Sequence, residues 1–164
     1  MNRSFPVAAL LIVFIGCSGI APPSRPLPVT TVTVDSDHGS VKFKVEVAGD
    51  SQSQEYGLMN RKAMAPGAGM LFDFHRTECE IFWMKDTILS LDIIFIRADG
   101  TISSIAANAV PFSTTQIPSM EPVRAVLELN GGRAAALGIV PGQKVHGAIF
   151  NTPIPKDAPL MACQ

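Results

Sequence analysis

Charge is scarce in this chain and nowhere concentrated. Asp, Glu, Lys and Arg make up 16% of its 164 residues, the formal net charge is −1, and no run of Lys or Arg exceeds two. A nucleic-acid-binding face needs several phosphate-neutralising cations in one place, so nucleic acid is not an expected partner. No phosphate loop, dinucleotide fingerprint or nucleophile elbow occurs, and no cofactor is expected. The three histidines, His38, His75 and His146, are scattered without an H-x-x-x-H pair, and no metal site is expected. His75 and Cys79 have helical i, i+4 spacing, but "HRTECE" has no helical frame around it. "DSDHG" holds liganding atoms and is more simply a turn. Seven methionines raise the question of soft-metal binding, but none has M-x-x-M spacing, which favours gap-filling in a core. Long apolar runs are missing too. The stretch Phe5–Ile15 is eleven residues, against about 20 for a spanning helix.

What is present is apolar: 47% of residues are hydrophobic, enough for a packed core. The N-terminal pattern of one cation (Arg3), a short apolar run and then "FIGC" is that of an export signal. Residues 1–16 are expected to be a lipoprotein-type signal peptide, with Cys17 as the lipidated residue. The alternative is ordinary cleavage after Ala21, which places Pro22 awkwardly after the cut. Residues 17–29, rich in proline, would be an extended tether. The expected location is the bacterial cell envelope, lipid-anchored and facing the periplasm; the alternative is a soluble periplasmic or secreted protein. Cys79 and Cys163 then remain, as a disulfide fixing the tail over 153–164 or as two unrelated thiols.

Between these ends, residues 30–152 are expected to form one domain. "VTTVTV" and "VKFKVEV" alternate with period two about the "DSDHG" turn. A short helix capped by Asp50 or Ser51 extends to about Asn60. "GMLFDF" is a compact strand and "HRTECE" a polar link. In "IFWMK", Phe82 and Met84 face one way, and Ile81, Trp83 and Lys85 the other. "LDIIFIRADGTISSIAANAV" is a hairpin about Asp99-Gly100, expected in type I′ geometry. "PFSTTQIPSMEPV" is a loop, "RAVLELN" a strand, and "GGRAAALG" a short helix stopped by Gly138. "VPGQKV" offers a type II turn and "VHGAIFN" a closing strand. Seven or so strands with two brief helices, not regularly interleaved, exclude a doubly wound α/β fold. They point to a mainly-β antiparallel sandwich or small barrel.

Taken in order, "YGLMNRKAMAPGAGMLFDF", "FWMKDTILSLDIIFIRADGTI", "VRAVLELNGG" and "LGIVPGQKV" resemble the DUF192 family (also called UPF0127), over about Lys42 to Val145. The resemblance implies a jelly-roll-like sandwich or barrel and an envelope association, and no function. Its recurrent blocks correspond to Gly57, Leu58, Met59 and Arg61; Gly69, Met70, Leu71 and Phe72; Phe82, Trp83, Met84, Lys85, Thr87, Leu91 and Asp92; and Glu128 with Asn130. Asp86 stands where asparagine is common, and Ser90 where proline is.

The charged members, Arg61, Lys85, Asp92 and Glu128, are expected to converge around Trp83. One outcome is a partly buried ion-pair cluster that only fixes the scaffold. Another is a pocket for a small molecule or an envelope partner, lined by Phe72, Trp83 and Met84 with the four charges at its mouth. The third is a hydrolase-type enzyme using Asp92 or Glu128, although carboxylates beside Arg and Lys suit pairing better than proton donation.

Overall fold

The computed structural model describes residues 20–152 and Cys163. The expected signal peptide, the lipidation site Cys17 and nearly all of the tail lie outside those residues. The elements are β1 (Val29–Val34), β2 (Val41–Ala48), α1 (Ser51–Tyr56), β3 (Ala68–Glu78), β4 (Ile81–Phe82), β5 (Leu91–Ile96), β6 (Ile102–Ala109), β7 (Ile117–Pro118), β8 (Val123–Asn130), α2 (Arg133–Leu137) and β9 (Val145–His146), followed by a 3-10 turn over Ala148–Asn151. Seven strands form one curled half-barrel sheet in the order β6-β5-β8-β3-β2-β1-β9, and β4 and β7 make a separate ribbon. The chain just before β9 draws the sheet's two edges together at one end. There Asp35 N–H bonds to Lys144 O, Ile102 N–H to Gln143 O and Val145 N–H to Gly100 O, each at 2.8 Å.

A mainly-β fold with two short helices is thus what forms. Most pairings are antiparallel, but β2 and β3 run parallel, Lys44 opposite Ala68 through Ala48 opposite Phe72. The intervening 19 residues carry α1 across, the length a parallel connection requires. Asp50 caps α1: its carboxylate accepts from Ser53 N–H at 2.9 Å, and the Ser53 hydroxyl accepts from Asp50 N–H.

Both faces of the sheet are buried. One face gathers Phe43, Val45, Leu71, Ile94, Ile96, Leu127 and Leu129. The other gathers Met70, Phe72, Phe74, Met84, Leu91, Ile93, Phe95 and Val126. Burial on both faces explains why β5 reads as an unbroken apolar run interrupted only by Asp92.

Several local expectations change. The first four residues of "HRTECE" are the outer end of β3, which bulges between Asp73 and Glu78 with His75 at φ 56°. The β5–β6 hairpin forms, but only Gly100 of its turn pair has positive φ. Gly100 N–H bonds back to Arg97 O, and the Arg97 N–H bonds to Thr101 O, so the loop is a type I turn followed by a glycine bulge rather than type I′. The "QIP" segment, expected in a loop, supplies β7. The closing strand shortens to Val145–His146, because Gly147 leads into the 3-10 turn. The tether's described part lies on the domain, with Leu27 packed against the second core face and Gln52 donating to Pro22 O.

Cys79 and Cys163 form a disulfide, with Cα atoms 5.4 Å apart and 84 residues of separation. Removing it with a Cys79→Ser/Cys163→Ser pair is expected to lower stability by about 2–4 kcal/mol, through the loop entropy returned to the unfolded chain. Urea midpoints should fall correspondingly, and an unchanged midpoint would contradict this role.

Candidate functional site

Alternation along β8 decides which side chains meet. Leu127 and Leu129 enter the first core face, so Val126 and Glu128 point to the second. Glu128 stands opposite Met70 on β3 and Ile93 on β5, both residues of that second face. It thus rises from the floor of a cleft of about 270 Å³, with Phe72, Phe74 and Arg76 of β3 beside it. One wall is α1 and its following turn, Gln54 to Met59. The other is the segment Glu80–Trp83 with Thr87. The volume is near the low end for small-molecule sites.

Two glycines allow this geometry. A Cβ on Gly69 would fall 2.6 Å from Glu128 O, so only glycine lets β3 approach β8 so closely. Gly57 ends α1 at φ 50°, and a Cβ there would press on the Phe72 ring at 3.3 Å. Phe82 is the aromatic hub, meeting Phe72 edge-on at 5.0 Å between centroids, Phe95 at 5.9 Å and Phe74 at 6.5 Å. Trp83, 47% exposed, stands at the rim with Lys85 Nζ 5.7 Å from its ring centroid, a cation–π contact.

Glu128 is 4% exposed, and no donor among the described residues reaches its Oε2. Desolvation disfavours its charged form and pushes its pKa up to about 8. Glu80, in the facing wall, is pushed up to about 8 as well, first by burial and then by the hydrogen bond it shares with Glu78. Its buried Oε1 also has no partner among the described residues. Glu78 is held low by Arg76, which engages it directly. The cleft therefore has an aromatic lining and two carboxyls that keep their protons at neutral pH.

This has a consequence for stability with a definite sign. Because the folded-state pKa of Glu128 is raised, the protonated side chain's full contribution is present below the unfolded value near 4.5. It is lost as pH rises towards about 8. Stability should fall across that window by a few kcal/mol, at about 1.4 kcal/mol for each pH unit separating the two pKa values, with Glu80 acting in the same direction. Glu128→Gln should lessen the fall in urea midpoint between pH 5 and pH 8, leaving the part that belongs to Glu80. An equally steep fall in the variant would contradict the assignment.

The other expected site residues disperse. Arg61 makes a two-point pair with Glu46, at 2.6 and 2.7 Å, and lines a separate groove beside Arg25–Leu27 of the tether. Met84 is wholly buried core. Asp92 alternates with Ile93 and so points to the opposite face of the sheet from Glu128. There it accepts from Asn108 N–H at 2.8 Å, Gly132 N–H at 3.0 Å and Ala134 N–H at 2.7 Å. It pins the entry to α2 and is neither a neighbour of Lys85 nor a partner for Glu128. The four charges do not converge, and no ion-pair cluster forms around the indole. Phe72, Trp83 and Glu128 do share one cleft.

Sequence reasoning missed Glu80, Phe74 and Tyr56, because the polar link and the short helix gave no sign of facing each other. It also missed the buried pair of Asp73 and Arg124 beneath the bulge. Asp86 lies at φ 54°, a left-handed backbone that asparagine adopts more readily than aspartate, which explains the asparagine common there in the resembling family. The Ser90 hydroxyl donates to Ala109 O at 3.3 Å, tying the start of β5 to the end of β6.

The model of DUF192, described as an uncharacterized ACR, matches residues 32–147. The chain belongs to the DUF192 family. Two solved structures are similar along most of its length. One, from Sinorhizobium meliloti 1021 and provisionally described as a transcription regulator, is 44% identical with a TM-score of 0.75, covering 77% of this chain and 99% of that one. The other, a protein of unknown function from Novosphingobium aromaticivorans DSM 12444, is 43% identical with a TM-score of 0.73, covering 77% and 93%. No curated protein matches the chain. The blocks that carried the DUF192 resemblance supply Gly57, Leu58, Met59, Phe72, Phe82, Trp83, Thr87 and Glu128, so all four blocks reach this one cleft.

Proposed function

We propose that this DUF192 domain is a binding module that takes a small, partly apolar ligand into the cleft, oriented by Glu128. The observation that carries the proposal is a desolvated carboxyl oxygen without a partner among the described residues, on a side chain that lines an aromatic concavity. A buried polar group left unsatisfied is unfavourable, and a ligand that satisfies it gains orientation from a single contact. Catalysis by an Asp92–Glu128 pair has no support, since the two leave opposite faces of the sheet. Nor does the regulator description of the Sinorhizobium protein extend readily to nucleic-acid binding by this chain. Arg61, Arg76, Arg97, Arg124 and Lys144 are each engaged by a carboxylate.

The test is fragment mapping by amide chemical shifts. Hits should cluster on Phe72, Phe82, Trp83 and Glu128 and vanish in Trp83→Ala, whose exposed side chain can be removed without unfolding the domain. Shifts scattered over the surface, or none, would overturn the proposal.

We further propose that the module works in the bacterial envelope, held by a lipid on Cys17 through the proline-rich tether. The Cys79–Cys163 disulfide supports an oxidising compartment. Cys17→Ser should move the protein from the membrane to the soluble fraction, and unchanged fractionation would refute the anchor.

A further inference from the structure

The binding proposal leaves the ligand's chemistry open, and the charges facing the cleft narrow it. Glu128 faces the cavity from β8. From α1 it is met by Glu55 and Tyr56, from β3 by Arg76, and from the β4 wall by Glu80. Its β5 neighbour, Ile93, carries no charge. Three carboxyls and one guanidinium thus line the space, and that guanidinium is already engaged by Glu78. An anionic ligand would face Glu55 with no unengaged cation to receive it. A neutral ligand would gain no charge attraction from either Glu128 or Glu80. A positive charge suits both.

The aromatic rings favour the same sign. Phe72, Phe82 and Trp83 present π-systems whose faces attract cations, and Lys85 already uses the Trp83 ring in this way at the rim. Among the described residues no donor reaches the buried Glu128 Oε2 or the buried Glu80 Oε1. An ammonium group has three N–H donors and no acceptor, so it can donate to more than one carboxyl of the lining.

We propose that the cleft's ligand is a small organic amine, its ammonium held by Glu128 beside Glu80 and its apolar body packed on Phe72, Phe82 and Trp83. The proposal rests on the binding function assigned to the cleft and specifies its ligand class. Entry of the cation favours the charged form of the carboxyl, so the Glu128 proton passes to solvent as the N–H···O contacts form. The volume of about 270 Å³ suits an amine with one ring or a short alkyl chain rather than a larger molecule.

The only tryptophan of the chain stands at this cleft, so its fluorescence reports occupancy directly. Three probes of matched shape separate the possibilities on the full-length protein: 2-phenylethylamine, 2-phenylethanol and 3-phenylpropionate. The amine should give a saturable change with at least tenfold higher affinity than either analogue, and calorimetry in two buffers should show proton release on binding. Glu128→Gln should weaken the amine at least tenfold and 2-phenylethanol far less. If the alcohol or the acid binds as tightly as the amine, or if Glu128→Gln leaves amine affinity intact, the ammonium assignment falls while the cleft remains a binding site. If none of the three perturbs Trp83 at millimolar concentration, both proposals fall. The wild-type comparison of amine with acid needs no variant, so it decides the matter even if a substitution at Glu128 disturbs folding.

Discussion

Replacing Asp92 by alanine is expected to destabilise the domain by about 3–5 kcal/mol, despite the absence of any ion pair to break. The carboxylate is wholly buried and accepts three backbone N–H bonds, from Asn108, Gly132 and Ala134. Hydrogen bonds to a charged group contribute about 1.5–3 kcal/mol each, and each buried donor stripped of its acceptor adds roughly 1–3 kcal/mol of desolvation. The three donors come from β6 and from the turn into α2, elements that Asp92 joins across the end of the sheet. Gly132, the residue before α2, provides no side-chain cap, so the acid from β5 takes the place of a local capping residue. Asp92→Asn should fall between wild type and alanine. One amide oxygen can keep two of the contacts, while the NH₂ group opposes the Ala134 donor. Urea denaturation of the two variants checks the order, and an Asp92→Ala protein as stable as wild type would contradict it.

The second large effect belongs to Arg124, whose guanidinium meets Asp73 inside the β3 bulge, both side chains nearly inaccessible. Arg124→Ala should cost about 3–5 kcal/mol, because Asp73 would stay buried with its main compensating charge gone. His75 Nδ1, 3.3 Å from Asp73, is largely exposed and offers only partial compensation. The companion prediction sets this apart from simple loss of packing. Asp73→Leu/Arg124→Met should recover most of the stability, since replacing both charges with apolar groups of similar size is often neutral or stabilising. A double-mutant cycle measures the coupling directly. Losses that simply add would show that the pair is not energetically linked.

Legibility in the sequence depended on whether a strand had a wet face. β2 alternates Phe43, Val45 and Val47 with Lys42, Lys44 and Glu46, and its orientation was plain from that alone. β5 and β8 are buried on both sides, so Asp92 and Glu128 each sat in an apolar run with no polar row to label the faces. Their proximity along neighbouring strands suggested a cluster. Register places Ile93, not Asp92, opposite Glu128, and one residue of offset sends a side chain to the other side of the sheet. The cleft's aromatic members, Phe72 and Trp83, could be named from the chain. The meeting of Tyr56 and Glu80 could not. Tyr56 and Glu80 meet across the cleft only because the β2–α1–β3 connection is a parallel crossover and β4 folds back against β7. Both are long-range pairings without a local signal. The Cys79–Cys163 bridge was open for the same reason: spacing along the chain does not give distance.

The side-chain carboxyl of Glu128 is the centre of this account: it is buried, lines the cleft and has an oxygen that no described residue reaches. A ¹³C NMR titration of its Cδ resonance tests that placement most directly. The expected result is a midpoint near 8, with the carboxyl still protonated at pH 7. A midpoint near 4.5, the ordinary value for a solvated glutamate, would contradict both its desolvation and the ligand-holding role built on it.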